Sequence, residues 1–140
     1  METDIKQDCT DVDWNTVSEI LKRVGMTHYE PDVHRRAFEA SYAKVFVYQS
    51  DQLIGFGRAI SDGVFQAAIY DCAVHPEFQG RGIGKIIIET IMQSIQHCNA
   101  ILYASPGKEG FYQRYGFRKM KTGMAYFQKS ETMRDRGFIE

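Results

Sequence analysis

The fold of this chain depends on the stretch AVHPEFQGRGIGK, residues 73–85. An apolar segment ends at a turn that contains Pro76, and a glycine-rich loop then leads into a long amphipathic segment. This order predicts a strand, a loop and a helix whose first backbone N–H groups point into the loop. Gly80, Gly82 and Gly84 stand at alternate positions, so no Cβ keeps an anion from the backbone. The stretch therefore predicts a site for a phosphate or pyrophosphate.

Two common phosphate-binding motifs do not fit these residues. A P-loop needs a glycine where this chain has Gln79, and a serine or threonine where it has Ile86. A dinucleotide fingerprint that starts at Gly80 needs a third glycine where the chain has Lys85. It also needs a βαβ unit, and none precedes the loop. The pattern that does fit is Gln-x-x-Gly-x-Gly, over residues 79–84.

A second motif, GFYQRYGF, follows at residues 110–117. With the first, it resembles the GCN5-related N-acetyltransferase (GNAT) family, whose acetyl-CoA loop reads Arg/Gln-x-x-Gly-x-Gly/Ala and whose later segment reads Phe-Tyr-x-x-x-Gly-Phe. The resemblance covers roughly the C-terminal half of the chain. It implies an α/β fold with a central mixed, mostly antiparallel sheet flanked by helices, and an acetyl-CoA-dependent N-acetyltransferase.

Length and composition predict one domain over residues 1–140. The chain is 44% hydrophobic and 25% charged, with a formal net charge of −1, so no basic field favours nucleic acid or an anionic membrane. Its apolar runs are too short to cross a bilayer, and residues 1–4 are unlike a signal peptide. Three widely spaced cysteines indicate neither a disulfide framework nor a metal site. We expect a cytoplasmic protein with reduced thiols and no metal.

The spacing of apolar residues, together with capping residues, glycines and prolines, predicts the helices and strands. Asp13 is expected to cap a helix that Gly25 ends, and Pro31 is expected in the first turn of a second helix. The remaining predictions are strands at residues 4–9, 44–49, 53–61, 65–75, 100–104 and 124–129, helices after residue 83 and at 108–115, and a polar, loose tail at 130–140.

Acyl transfer to an amine needs an uncharged amine, a polarised thioester carbonyl and a proton for the departing thiolate. An alkyl amine with a pKa near 10.4 is neutral in only about one molecule in 2,500 at pH 7. The resemblance implies that Tyr112 donates the proton, since a phenol is protonated at neutral pH. The alternative is that Tyr112 packs for its ring area, as is expected of Tyr115.

The resemblance also implies that the thioester and pantetheine arm lie along the strand end at Cys72, Ala73 and Val74, where the family's strand splays from its neighbour. Unpaired backbone groups there would be costly without a ligand. Cys72 as a nucleophile is a rival interpretation, but no histidine adjoins it in sequence, so a structural thiol is favoured.

The general base stays open. Asp71 is the only carboxylate on this strand, and alternation predicts that Tyr70 and Asp71 point to opposite faces. His28 and Glu30 lie between the two N-terminal helices, and a water chain is a further alternative. In the family this loop contributes to the acceptor site, which makes His28, Tyr29 and Glu30 candidate acceptor-binding residues.

The pyrophosphate is expected to meet backbone N–H groups and side chains of the glycine loop. Arg81 and Lys85 supply charge, and the Gln79 amide can donate a hydrogen bond. His34, His75 and His97 have no ligand spacing and are expected in turns or at the surface. The predicted acetyl-CoA-binding residues of the loop are Gln79, Gly80, Arg81, Gly82, Ile83, Gly84 and Lys85.

These observations predict an acetyltransferase that acts on a primary amine of a small molecule by direct attack. Two alternatives remain: an acetyltransferase for protein lysines or N-termini, and a non-catalytic acyl-CoA-binding module. The acid, aromatic and apolar residues around the acceptor loop would suit a cationic amine with an apolar body. The resemblance also leaves a homodimer open as an assembly.

Overall fold

The computed structural model describes residues 2–140, so Met1, the first residue of the polar N-terminus, lies outside the described residues. The chain comprises two compact units, Met1–Leu102 and Tyr103–Glu140. A single domain over residues 1–140 stays a prediction. Among residues 2–140, no helix is long and apolar enough to cross a membrane.

The first unit is built on a five-stranded sheet in the order β1-β2-β3-β4-β5. The first three pairings are antiparallel and the last, β4 with β5, is parallel. The predicted mixed, mostly antiparallel sheet flanked by helices is therefore confirmed. The strands are β1 (Asp4–Lys6), β2 (Ala43–Gln49), β3 (Gln52–Ser61), β4 (Gln66–Val74) and β5 (Asn99–Ile101).

Three helices of this unit begin where the sequence signals predict, and the first also ends before Gly25, as predicted. They are α1 (Trp14–Arg23), α2 (Pro31–Glu39) and α3 (Ile83–Ser94). The Asp13 carboxylate accepts the N–H groups of Asn15 and Thr16 and so caps α1. Gly25 follows α1 with a φ of 79°, and Pro31 is the first residue of α2.

The β2–β3 hairpin turns at Ser50 and Asp51, between the strands predicted at 44–49 and 53–61, and both residues have positive φ. This backbone matches the right-handed twist of the flanking strands. The central strands are buried over most of their length because helices cover both faces of the sheet.

Helix α3 lies against the sheet where β3 carries glycine. A Cβ on Gly57 would stand 2.8 Å from Ile87 Cγ2 and 2.9 Å from Cys72 Sγ, and a Cβ on Gly55 would stand 3.0 Å from Ile83 Cγ2. The isoleucines of the predicted apolar face, Ile83, Ile87, Ile88, Ile91 and Ile95, are all fully buried. The helix therefore packs on backbone, closer than any side chain on β3 would allow.

On the opposite face, aromatic rings fill the space between α1, α2 and the sheet. Phe38 packs with Phe46 and Phe56 at centroid distances of 5.2 and 5.8 Å, and Trp14 contacts Phe38 at 5.7 Å. Because side chains alternate along β3, Phe56 faces this cluster while Gly55 and Gly57 face α3. Trp14 is thus a core residue.

Three predictions about the C-terminal part were wrong. The strand predicted at residues 100–104 ends early, because β5 spans only Asn99–Ile101, and Ile101 is 51% exposed. Residues 124–129 form no strand, and Met124 is 98% exposed. The tail contains α5 (Ser130–Asp135), after α4 (Glu109–Gln113). An apolar pattern makes a strand only where a partner edge accepts its hydrogen bonds.

Replacing Gly57 with alanine tests the packing of α3. Gly57→Ala forces a methyl group into Ile87 and Cys72, so we expect a loss of about 1–3 kcal/mol in the free energy of unfolding. Gly110→Ala is the matched control, because a Cβ at Gly110 meets no atom within 4 Å. Denaturant titration measures both, and equal stability of the two variants would contradict the close contact.

Candidate active site

The predicted phosphate loop joins β4 to α3. A 3₁₀ turn at Pro76–Phe78 follows the strand, and Gly80 and Gly82 then adopt left-handed backbone with φ of 77° and 83°. The first helical bond runs from the Ile86 N–H to the Gly82 carbonyl, and no side chain caps α3 within the described residues. The first-turn N–H groups of α3 are thus left to meet an anion.

The backbone gives the two loop glycines a second reason to be glycine, and the predicted one, that an anion approaches them closely, stays a prediction. A Cβ at Gly80 or Gly82 would meet no protein atom within 4 Å, so crowding does not select glycine. Their positive φ does, because other L-residues adopt it at a cost. The open space beside both positions is what an incoming phosphate would need.

The loop's polar side chains divide into shaping and charged groups. The Gln79 amide donates to the Val74 carbonyl at 3.1 Å, which ties the loop to the end of β4. The Arg81 guanidinium lies 5.2 Å from the centre of the Phe78 ring, and Lys85 is exposed on the first turn of α3. Arg81 and Lys85 thus carry the loop's positive charge, while Gln79 holds its shape.

His75 shapes the start of this loop. It is 8% exposed, and its Nδ1 accepts the Glu77 N–H at 3.1 Å to cap the 3₁₀ turn. Its Nε2 lies 3.1 Å from Arg23 Nη1 at the end of α1. The turn position was predicted. Its burial against α1 was not, because that contact joins residues far apart in sequence.

A β-bulge interrupts the pairing of β3 with β4. Phe56 pairs with Ala73 but Arg58 pairs with Tyr70, so β4 carries one extra residue opposite Gly57. Asp71 lies in the bulge with a φ of 56°. Aspartate is one of the few residue types that adopt this backbone conformation readily.

The bulge overturns the predicted alternation of Tyr70 and Asp71. The Arg58 Nε donates to Asp71 Oδ2 at 2.7 Å, and the Arg58 guanidinium lies 5.4 Å from the centre of the Tyr70 ring. Both side chains therefore reach one cation, on the face covered by α1 and α2. The predicted catalytic carboxylate, Asp71, is held in an ion pair.

The far end of β4 extends past its pairing with β5. Within the described residues this ladder pairs Gln66, Ala67 and Ala68 with β5, while β4 continues to Val74. Cys72, Ala73 and Val74, the predicted pantetheine residues, lie in that extension. The Cys72 Sγ faces Gly57 and α3, which favours a structural thiol over a nucleophile.

The predicted acceptor residues His28, Tyr29 and Glu30 come together at an open cleft beside α1. All three side chains are exposed, and the cleft has a volume of about 490 Å³. Its lining consists of Ser18, Glu19, Lys22, His28, Tyr29, Glu30 and Pro31. Sequence reasoning missed Ser18, Glu19 and Lys22, which share one side of α1 because Lys22 lies about one turn after both of the others.

The second motif forms α4 and the turn after it, in the second unit. Tyr112 is half-buried, and its ring lies 5.1 Å from Phe111 and 6.0 Å from Phe117. Gly116 has a φ of 91°, which a glycine adopts freely at this turn. The motif thus builds a small aromatic cluster around the predicted proton donor.

Residues 2–140 hold no group of three or more His, Cys, Asp or Glu arranged to bind a metal ion. Cys9, Cys72 and Cys98 form no disulfide within this described part of the chain.

The chain is similar to known proteins both in sequence and in structure. An uncharacterized N-acetyltransferase of Prochlorococcus marinus is 35% identical over 108 residues, which are 72% of this chain and 60% of that protein. Serotonin N-acetyltransferase 2, chloroplastic, of Oryza sativa is 29% identical over 144 residues, covering 94% of this chain and 70% of that protein. This chain therefore spans less than two thirds of the Prochlorococcus relative.

A solved structure from Staphylococcus aureus, described as a probable acetyltransferase of unknown function, superposes with a TM-score of 0.81. It is 25% identical and covers 91% of this chain and 99% of its own. The sequence profile of the Acetyltransferase (GNAT) domain matches residues 6–128. This chain belongs to the GNAT acetyltransferase family.

Proposed function

We propose that this protein transfers the acetyl group of acetyl-CoA to a primary amine of a small molecule by direct attack. One observation carries the proposal: the left-handed loop at Gly80 and Gly82 leads from β4 into the uncapped N-terminus of α3. Such a terminus attracts a phosphate through its N–H groups and its dipole. Arg81 and Lys85 add positive charge beside it.

The residues present fit acetyl-CoA. The pyrophosphate meets the backbone at residues 79–85, and the pantetheine arm follows the extension of β4 at Cys72, Ala73 and Val74. The ladder between β4 and β5 covers only Gln66, Ala67 and Ala68, which supports a ligand alongside the later part of β4. Bound acetyl-CoA supplies the acetyl group as a thioester. The residues of this chain bind it, orient it and transfer the protons between the amine and the departing thiolate.

The acceptor enters the cleft beside α1. The carboxylates of Glu19 and Glu30 outnumber the ammonium of Lys22 in its lining and favour a cationic amine, and the exposed Tyr29 side chain offers an aromatic wall. The rice relative's name, serotonin N-acetyltransferase, supports an amine on an aromatic body. We therefore propose an arylalkylamine or a similar cationic amine as the acceptor class.

Tyr112 is the proposed proton donor to the departing thiolate. For Asp71, the ion pair with Arg58 supports a role through the shape of the bulge rather than as a free base. Our proposal for Asp71 is therefore that its ion pair with Arg58 maintains the bulged backbone of β4 in the shape that acetyl transfer needs.

The cytoplasm stays our predicted location. The rice relative is named as chloroplastic, so a plastid is the competing location that cell fractionation would detect.

An acceptor panel tests the function. Thiol release from acetyl-CoA is measured with arylalkylamines, polyamines, amino sugars, amino acids and short peptides. We expect the highest kcat/KM with arylalkylamines, because the cleft combines carboxylates with an aromatic ring. Preference for anionic amino-sugar phosphates would refute this acceptor class. Turnover only with peptides would indicate a protein acetyltransferase, and acetyl-CoA binding without any turnover would indicate a binding module.

Tyr112→Phe tests the proton donor. We expect kcat to fall by about 10²-fold or more, because general acid catalysis contributes that much, while the KM for acetyl-CoA stays nearly constant. Tyr115→Phe is the matched control in the same aromatic cluster and should retain kcat. Unchanged kcat in Tyr112→Phe would leave the tyrosine a packing residue.

Asp71→Asn and Asp71→Ala separate a positioning role from a proton-accepting role. Asparagine adopts left-handed backbone and can still accept from Arg58, so Asp71→Asn should keep kcat within about tenfold. Alanine does neither, and Asp71→Ala should lose about 10²-fold as the bulge relaxes. Equal losses in both variants, with a changed pH profile, would instead make Asp71 the general base.

A further inference from the structure

The backbone of Tyr29 is held from two sides by side chains of two helices. Its carbonyl accepts a hydrogen bond from Ser18 Oγ on α1 at 2.6 Å. Its N–H donates to His34 Nε2 on α2 at 2.9 Å. Neither bond belongs to a helix or a strand ladder, so together they determine how the loop between α1 and α2 presents Tyr29.

His34 makes this bond in one protonation state only. Its Nε2 accepts the Tyr29 N–H, which puts the single proton of the neutral ring on Nδ1. A second proton on Nε2 would set two N–H groups against each other and break the contact. His34 is only 4% exposed, contrary to the predicted surface or turn position, and its ring contacts the Tyr29 ring at 5.8 Å.

The surroundings of His34 keep it neutral. Burial is the largest cause, and it lowers the pKa of His34 below the ordinary value of 6.5. Asp71 on β4 raises this pKa, while Arg58 on β3 and His28 in the loop lower it. Asp71 and Arg58 pair with each other, so one ion pair supplies both a raising and a lowering effect on the pKa of His34.

The exposed side chain of Tyr29 is what these bonds control. Its ring is 55% exposed and lines the cleft beside α1, next to His28 and Glu30. A flexible loop would lose entropy when an acceptor ordered it, whereas a loop already held by two hydrogen bonds avoids that cost.

We propose that Ser18 and His34 are positioning residues that hold the Tyr29 ring as a wall of the acceptor site, and that protonation of His34 releases it. The inference rests on the proposed function for its link to the acceptor. The two hydrogen bonds from Ser18 and His34 to the Tyr29 backbone, called the hold on Tyr29 below, are testable without turnover. Neutral His34 predominates at and above pH 6.5. The hold is therefore present there and is lost as the pH falls from 6.5 through the lowered pKa of His34.

Amide hydrogen exchange at Tyr29 tests the two hydrogen bonds directly, by NMR on the full chain at pH 7.5 and over a series of lower pH values, with rates corrected for intrinsic pH dependence. At pH 7.5 we expect Tyr29 to be about tenfold better protected in the wild type than in His34→Leu. His34→Gln carries a carbonyl oxygen that accepts without titrating, so it should keep protection throughout the series. The wild type should lose protection once the ring signals of His34 show that it is protonated.

Two controls separate this result from a general loss of structure. Ser18→Ala keeps His34 and should loosen Tyr29 only in part. The Ile88 amide in α3 should stay protected in every variant. Equal exchange at Tyr29 in the wild type and His34→Leu at pH 7.5 would overturn the proposal. So would wild-type protection that persists at a pH at which the ring signals of His34 show that it is protonated.

Kinetics then test the link to the acceptor. For an amine that turns over, His34→Leu should raise the amine KM about tenfold, with kcat and the KM for acetyl-CoA within about twofold. His34→Gln should restore the wild-type KM. Exchange that follows the prediction with an unchanged amine KM would overturn the acceptor role of Tyr29. If no amine turns over, the proposed function and this link fail, while the exchange result still decides the hold.

Discussion

The contact between α3 and the bare backbone of β3 is the constraint on which the first unit depends. At Gly55 and Gly57 the strand has no side chains, and the isoleucines of α3 occupy the space that Cβ atoms would fill. This close approach fixes where α3 begins relative to the end of β4. The N–H groups at the start of α3 and the glycine loop before it therefore form one anion site, held by apolar packing.

A second constraint is the bulge in β4, directly opposite Gly57. It turns Asp71 into left-handed backbone and brings Asp71 and Tyr70 to the same guanidinium. Arg58 in turn lies 3.3 Å from Ser41 Oγ and above the Phe38 ring, so the bulge is tied to α2. Through His34 on the same helix, the acceptor loop and the β4 backbone belong to one connected structure.

Local signals in the sequence predicted well what local interactions decide. The Asp13 cap, Pro31 at a helix start, the Ser50-Asp51 turn and the apolar spacing along α3 each depend on neighbours within a few residues. The strand predicted at residues 124–129 was wrong because its hydrophobic pattern says nothing about a partner edge. The bulge at Asp71 was missed because it arises from pairing with β3, twelve or more residues away in sequence.

By itself, the sequence determined the fold class, the glycine loop before α3 and the family to which the chain belongs. Glycine spacing, helix caps and apolar periodicity each involve residues close together in sequence, so they can be recognised from the sequence alone. Only the tertiary structure decided that Asp71 is paired with Arg58, that His34 is buried against Tyr29, and that Ser18 reaches the acceptor cleft. Those arrangements join separate elements, and burial and hydrogen bonding between elements are set when the chain packs.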